Sequence, residues 1–276
     1  MKQAKLTLVG AGPGDPDLIT VKGVRALAEA DVVLYDALAH PDILNYAPGR
    51  AIKIFVGKKV GVCQFAQEDI NKLIVEHALA HGHVVRLKGG DPFIFGRGHE
   101  EILYAQQYNI VTEVIPGISS SIAVPELQGI PLTRRGINES FWVVTGTTRN
   151  HELSEDVYTA AKSSATIVIL MGMTKLKDIC HIFSQEGKSS MPVAIIQQGT
   201  WKDERIALGR VNNIQSVVEA HGLSSPAIIV IGEVVSLHPA FLSVNAQHHY
   251  YVGTTLKYFL ENDKITVGHP ISDNPS

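Results

Sequence analysis

Short apolar runs rich in β-branched residues alternate with amphipathic stretches along most of this chain. One set of runs falls at residues 6–10, 32–36, 52–57, 84–88 and 111–115, and a second at 141–146, 166–171, 193–197, 205–211 and 227–232. Their length and flanking turn residues predict β-strands. Between them the period changes from two to about 3.6. Residues 68–79 place Ile70, Leu73, Ile74, Ala78 and Leu79 on one face with charges opposite, the pattern of a helix lying on a core. Further helices are predicted at about 152–162, 175–186 and 213–221. Strands alternating with helices predict an α/β fold. The two sets are separated by a stretch carrying Pro116, Gly117, Ser119, Ser120, Ser121, Pro125 and Pro131, which marks a boundary. The expected organisation is an N-terminal α/β domain over 1–116 and a second over 117–238. After that the pattern turns polar and irregular, so 239–276 is expected to be an appendage, partly disordered at its end.

Composition narrows the possible functions. With 276 residues the chain can bury the cores of two modest domains. A net charge of -3 offers no global basic field, so no nucleic-acid partner is expected and an anionic ligand must be held by local cations. Two cysteines, Cys63 and Cys180, cannot make a disulfide framework and fit a reducing cytoplasm. The first residues run straight into a strand with no signal-peptide layout. The longest apolar run, near Ile167 to Met173, is too short to span a bilayer, so no membrane partner is expected.

The candidate chemistry lies in the turns that follow the first set of strands. Residues 86–98 read Arg-Leu-Lys-Gly-Gly-Asp-Pro-Phe-Ile-Phe-Gly-Arg-Gly. Four glycines there let a backbone approach a ligand closely. The aspartate, lysine and arginines point to a ligand bearing both signs of charge. The first turn, Gly10-Ala11-Gly12-Pro13-Gly14-Asp15-Pro16, sits where a dinucleotide fingerprint would. It fails that pattern, because Asp15 takes the last glycine's place and Pro13 removes an N–H donor. Asp36 ends the second strand, as either a base or a turn aspartate. Lys58 and Lys59 follow the third, as either functional or solvated charges. His77 and His81 stand four apart on the predicted helix without a HExxH pattern or a third ligand in view, so no metal is expected. No nucleophile elbow or Walker loop is present.

Taken in order, these turns resemble those of the tetrapyrrole methyltransferases. The likeness runs through Tyr35-Asp36-Ala37-Leu38 and Gly57-Lys58-Lys59 to the run at 86–98. It continues in Pro116-Gly117-Ile118-Ser119-Ser120, Gly129-Ile130-Pro131-Leu132-Thr133-Arg134-Arg135-Gly136 and Met171-Gly172-Met173, covering about residues 4–238. The run at 86–98 is most like the members that methylate uroporphyrinogen III twice, giving precorrin-2 on the way to sirohaem and cobalamin. The resemblance implies two α/β domains with the active site in the cleft between them, a homodimer, S-adenosylmethionine as methyl donor and no metal. It implies donor contacts from Pro13, Gly89, Gly90, Asp91, Ile94, Ser119, Ser120, Met171 and Gly199. It implies Asp36 as proton acceptor and Lys58 as proton donor. Arg97, Arg134 and Arg135 are the expected partners of the tetrapyrrole's carboxylates, because a guanidinium fork matches a carboxylate. Backbone amides of Gly89 and Gly90 are expected to reach the donor. The chain departs from the family's common pattern at Val62-Cys63-Gln64-Phe65-Ala66, Ala37 and Arg134. Two alternatives stay open on the sequence: methylation of a later corrinoid precursor, and a non-catalytic protein that binds S-adenosylmethionine.

Overall fold

The computed structural model describes residues 2–57, 65–243 and 265–267. Lys58, Lys59, the 62–64 part of the atypical stretch and most of the expected appendage lie outside the described residues. The chain forms two compact units, Met1–Ser120 and Ser121–Ser276. Each of the ten sequence-predicted strands is present, with ends displaced by no more than two residues.

In the first unit β1 (Lys5–Gly10), β2 (Val32–Tyr35), β3 (Ile52–Phe55), β4 (His83–Lys88) and β5 (Val111–Ile115) form one sheet in the order β3-β2-β4-β1-β5. Every pairing is parallel. All five carboxyl ends therefore lie along one side, where ligands sit in open α/β sheets. Side-chain alternation divides the core into two layers. Val9, Val33, Val85 and Leu87 face one way and pack with Leu27 of α1 (Val21–Ala28) and with Ile43. Leu6, Leu8, Val32, Leu34 and Val84 face the other, toward α2 (Gln67–His81) and α3 (Gly98–Gln106).

The helix at 68–79 is confirmed as α2, with one correction to its face. Ile70, Ile74 and Ala78 are buried, but Leu79 is 59% exposed while Asn71 and Val75 are covered. At 100° per residue Leu79 stands half a turn from Ile70, so the apolar stripe runs through 70, 71, 74, 75 and 78.

In the second unit α4 (Ser120–Leu127) leads into a mixed sheet. Its strands are β6 (Phe141–Thr145), β7 (Thr166–Leu170), β8 (Pro192–Gln197), β9 (Arg205–Arg210), β10 (Ala227–Ile231) and β11 (Ile265–Val267), in the order β11-β9-β8-β10-β7-β6. The strand β10 runs antiparallel to both neighbours, β7 and β8, so those two point the same way. Helices α5 (Asp156–Lys162), α6 (Leu176–Gln185) and α7 (Ile214–His221) follow the predicted ones closely, except at the start of α5. There the chain first makes a turn closed by a bridge between Thr147 and Leu153, which delays the helix by four residues. Helix α8 (Pro239–Ser243) and the short β11, paired parallel to β9, were not predicted. Among the described residues no helix is long and apolar enough to cross a membrane.

His238, just before α8, is fully buried, and its Nδ1 accepts the Ala240 N–H at 3.1 Å. Burial pushes its imidazole down to about 4, from an ordinary 6.5. Between those values the unfolded chain binds a proton that the folded chain refuses, so stability falls as the pH is lowered through this window. The urea midpoint is expected to drop between pH 6.5 and 4, by the equivalent of up to about 3 kcal/mol. His238→Asn, which keeps an acceptor but does not titrate, is expected to flatten that drop.

Candidate functional site

The turns after the strands of the first unit interlock backbone to backbone at glycines. A Cβ on Gly57 would lie 2.5 Å from the Ala37 nitrogen, and one on Gly89 would lie 2.4 Å from the Leu38 Cβ. One on Gly117 would lie 2.2 Å from the Gly90 oxygen, and one on Gly10 2.4 Å from the Gly117 Cα. These contacts join all five strand ends, and only glycine has room for them. Two hydrogen bonds reinforce the centre. The Gly90 N–H donates to the Gly12 carbonyl at 2.7 Å, and the Gly12 N–H returns to the Gly90 carbonyl at 3.2 Å. Gly12 and Gly90 both have positive φ, +81° and +64°.

Asp91 ties the third connection in. Its Oδ1 accepts the Phe93 N–H at 2.8 Å and its Oδ2 accepts the Gly117 N–H at 3.1 Å. Pro13, Gly89, Gly90, Asp91 and Ile94 are thereby gathered in two bridged loops of the first unit. Ser120 follows Gly117 closely, and its nitrogen lies 3.8 Å from a Cβ built on Gly90. One expectation is corrected: the Gly90 amide is committed to Gly12 and contributes shape rather than a free donor. Phe95 and Arg97 in the same loop hold left-handed backbone, φ 54° and 57°, a conformation that costs energy without glycine and clusters at ligand sites. Phe93, Ile94 and Phe95 remain exposed.

Asp36 begins the turn after β2. Its Oδ1 accepts the Leu38 N–H at 3.1 Å, so the turn-aspartate reading holds for one oxygen. Its Oδ2 lies 3.5 Å from Nη2 of Arg86, an ion pair in which the carboxylate is 23% exposed and the guanidinium 4%. Behind this pair is a buried charge cluster. Arg86 and Lys88 alternate on β4 and face α2 and α3. Glu101 of α3, with no exposure, accepts from Arg86 Nε at 3.3 Å and from Lys88 Nζ at 2.9 Å, both at Oε1. Gln67 Nε2 donates to the same oxygen at 3.2 Å and to Asn71 Oδ1 at 3.0 Å. Among the described residues, Oε2 of Glu101 has no hydrogen-bond partner. Burial pushes the Lys88 ammonium below its ordinary range, Arg86 adds to that, and Glu101 opposes it. A second expectation is corrected: Arg86 and Lys88, expected among the charges facing a ligand, are buried and paired with Glu101, which the sequence reading did not single out. The available signal was two cations spaced by two in an otherwise apolar strand.

The remaining predicted residues are placed separately. Lys58 lies outside the described residues. Arg97, half exposed, is gripped through both Nε and Nη2 by Glu100, at 2.9 and 2.6 Å. Arg134 and Arg135 are exposed on a turn of the second unit. Buried Asn138 braces that turn by accepting the Arg134 N–H and donating to the Leu132 and Ser140 carbonyls and to Thr166 Oγ1. Ser119 is buried. Met171 and Gly199 follow β7 and β8, on the same side of the second sheet and flanking the start of β10. Two strand spacings put those ends roughly 10 Å apart. Met171 is 52% exposed with φ 55°, and its carbonyl accepts from Thr147 Oγ1 at 2.7 Å.

A parallel sheet with glycine-built turns at its carboxyl ends, followed by a mixed sheet, defines a two-domain α/β ligand-binding protein. The pattern of the tetrapyrrole (corrin/porphyrin) methylases matches residues 5–215, and the chain belongs to that family. It is 50% identical over 235 residues to a uroporphyrinogen-III C-methyltransferase of Methanocaldococcus jannaschii, covering 84% of this chain and 97% of that one. A protein of the same name from Bacillus subtilis is 44% identical over 86% of this chain, which spans about half (50%) of that longer protein. A crystal structure of a uroporphyrin-III C-methyl transferase from Thermus thermophilus complexed with S-adenyl homocysteine is similar with a TM-score of 0.72. That protein is 37% identical, over 84% of this chain and 99% of its own.

Overpacking the glycine junction tests its structural importance. Gly117→Ala is expected to lower stability by about 1–3 kcal/mol. Gly49→Ala, where no atom of the described residues lies within 4 Å of the new Cβ, is expected to change it by no more than about 0.5 kcal/mol. Urea unfolding of the two variants beside the parent checks both.

Proposed function

We propose that this protein transfers methyl groups from S-adenosylmethionine to two carbon atoms of uroporphyrinogen III, giving precorrin-2. The observation that carries this reading is the meeting of Gly10, Gly12, Gly89, Gly90, Asp91 and Gly117 in bridged loops, in a chain half identical to an enzyme named for this reaction. Pro13, Gly89, Gly90, Asp91, Ile94, Ser119 and Ser120 are the proposed donor contacts from the first unit, and Met171 and Gly199 those from the second. Asp91 spends one acceptor position of each oxygen on backbone N–H groups. Each oxygen keeps a second lone pair for the ribose diol or the cationic end of the donor.

The reaction is a displacement. An electron-rich pyrrole carbon attacks the methyl carbon, and the carbon–sulfur bond breaks with its electron pair leaving on sulfur as S-adenosylhomocysteine. Alignment supplies most of the acceleration, because no covalent intermediate with the protein is needed. A proton then leaves the macrocycle, and Asp36, whose Oδ2 faces away from its own turn, is the proposed acceptor. Lys58 is the proposed proton donor by family likeness. The substrate's carboxylates are assigned to Arg97, Arg134 and Arg135, and at Arg97 they compete with Glu100. A homodimer in the cytoplasm is the working form the family likeness supports.

Anaerobic incubation with uroporphyrinogen III and S-adenosylmethionine, followed by mass spectrometry of the macrocycle, tests this directly. Two added methyl groups are expected. Donor binding without methylation would identify a different tetrapyrrole acceptor or a non-catalytic binder. Asp36→Asn is expected to lower turnover by about 10²–10⁴-fold, the range of a lost general base, while keeping affinity for S-adenosylhomocysteine.

A further inference from the structure

Arg86 makes three separate contacts from one buried guanidinium. Nε meets Glu101 Oε1 at 3.3 Å, Nη1 donates to the Leu87 carbonyl at 2.9 Å, and Nη2 lies 3.5 Å from Asp36 Oδ2. Glu101 is itself held by Lys88 and Gln67. Burying two cations and a carboxylate between a sheet and two helices is expensive, and packing alone would be served as well by apolar side chains. The cluster is also asymmetric. Of its four charged members three are almost fully buried, and the partly exposed one is the Asp36 carboxylate at the strand terminus.

We propose that Arg86 is a positioning residue for methyl transfer: anchored by Glu101 and the Leu87 carbonyl, it fixes the orientation of the Asp36 carboxylate. This rests on the reading of Asp36 as proton acceptor. The Leu38 N–H holds Oδ1, and Arg86 restrains Oδ2 from the protein side. The plane of the carboxylate is then defined from two directions, with acceptor capacity left on Oδ2. The planar fork is what lets one side chain serve Glu101, Leu87 and Asp36 together. A lysine ammonium at 86 keeps the charge but cannot span all three.

The test compares Arg86→Met and Arg86→Lys with Asp36→Asn. It measures anaerobic turnover on uroporphyrinogen III, S-adenosylhomocysteine affinity by calorimetry, and thermal midpoint. In Arg86→Met the Lys88–Glu101 pair stays charge-balanced. Its kcat is expected to fall by about tenfold or more, one positioning contact being worth roughly that much. Donor affinity is expected to stay within about twofold, because the donor contacts are elsewhere. Arg86→Lys is expected to recover only part of the turnover. Wild-type turnover in Arg86→Met overturns the proposal, and so does a parallel loss of donor affinity and turnover, which marks a purely structural role. If Arg86→Met does not fold, Arg86→Lys decides, and wild-type kcat from it overturns the proposal. Unchanged turnover in Asp36→Asn sinks the reading of Asp36 instead. An inactive Asp36→Asn beside a fully active Arg86→Met sinks only the assignment of Arg86.

Discussion

Close approach of backbone to backbone at glycine is the constraint on which the candidate site depends. Five parallel strands deliver their carboxyl ends to one side of a sheet, but strand ends about 5 Å apart do not by themselves make a surface. The surface forms because glycine lets the turns touch: Gly57 against the Ala37 backbone, Gly89 against the Leu38 Cβ, Gly90 and Gly10 against the Gly117 backbone. The paired hydrogen bonds between Gly12 and Gly90 and the bridge from Asp91 to Gly117 then lock the turns in register. Left-handed backbone at Phe95 and Arg97 lies in the same loop, which the Gly98 N–H closes onto the Pro92 carbonyl at 3.1 Å.

The buried charges beneath Asp36 are the second organising element. The strand that supplies the Gly89-Gly90 turn also supplies Arg86 and Lys88, two residues apart on a single face. Helix α3, which begins at the end of the same loop, returns Glu101 to them. One continuous segment thus builds the glycine turn and the electrostatic support beside it. Displacing the loop would move Glu101 away from two buried cations, so the loop's shape and the charge pairing stabilise each other.

The strands and α2 were legible because period and composition are local properties. Val84, Val85 and Leu87, or Ile167, Val168 and Ile169, read as buried strands without knowledge of their neighbours. Local reading failed where a neighbour decides. Leu79 looked like part of the apolar face but stands half a turn from Ile70. Glu152 looked like the start of a helix but its carbonyl is taken by the Thr148 N–H. Nothing local separates Glu101 from its neighbour Glu100, yet burial under the sheet sets Glu101 between two cations.

The sequence by itself determined the α/β class, the order of the first ten strands, and the turns proposed to carry chemistry. Each depends on residue type and spacing within about ten positions. Tertiary structure alone decided that Gly10, Gly90 and Gly117 share one junction, that the Gly90 amide is spent on Gly12, and that Arg86 links Asp36 to Glu101. These contacts join residues distant along the chain, and they depend on the strand order β3-β2-β4-β1-β5, which places β4 between β2 and β1. Periodicity carries no information about that order. It is fixed when the two faces of the sheet are buried, and only then do the partners of each turn exist.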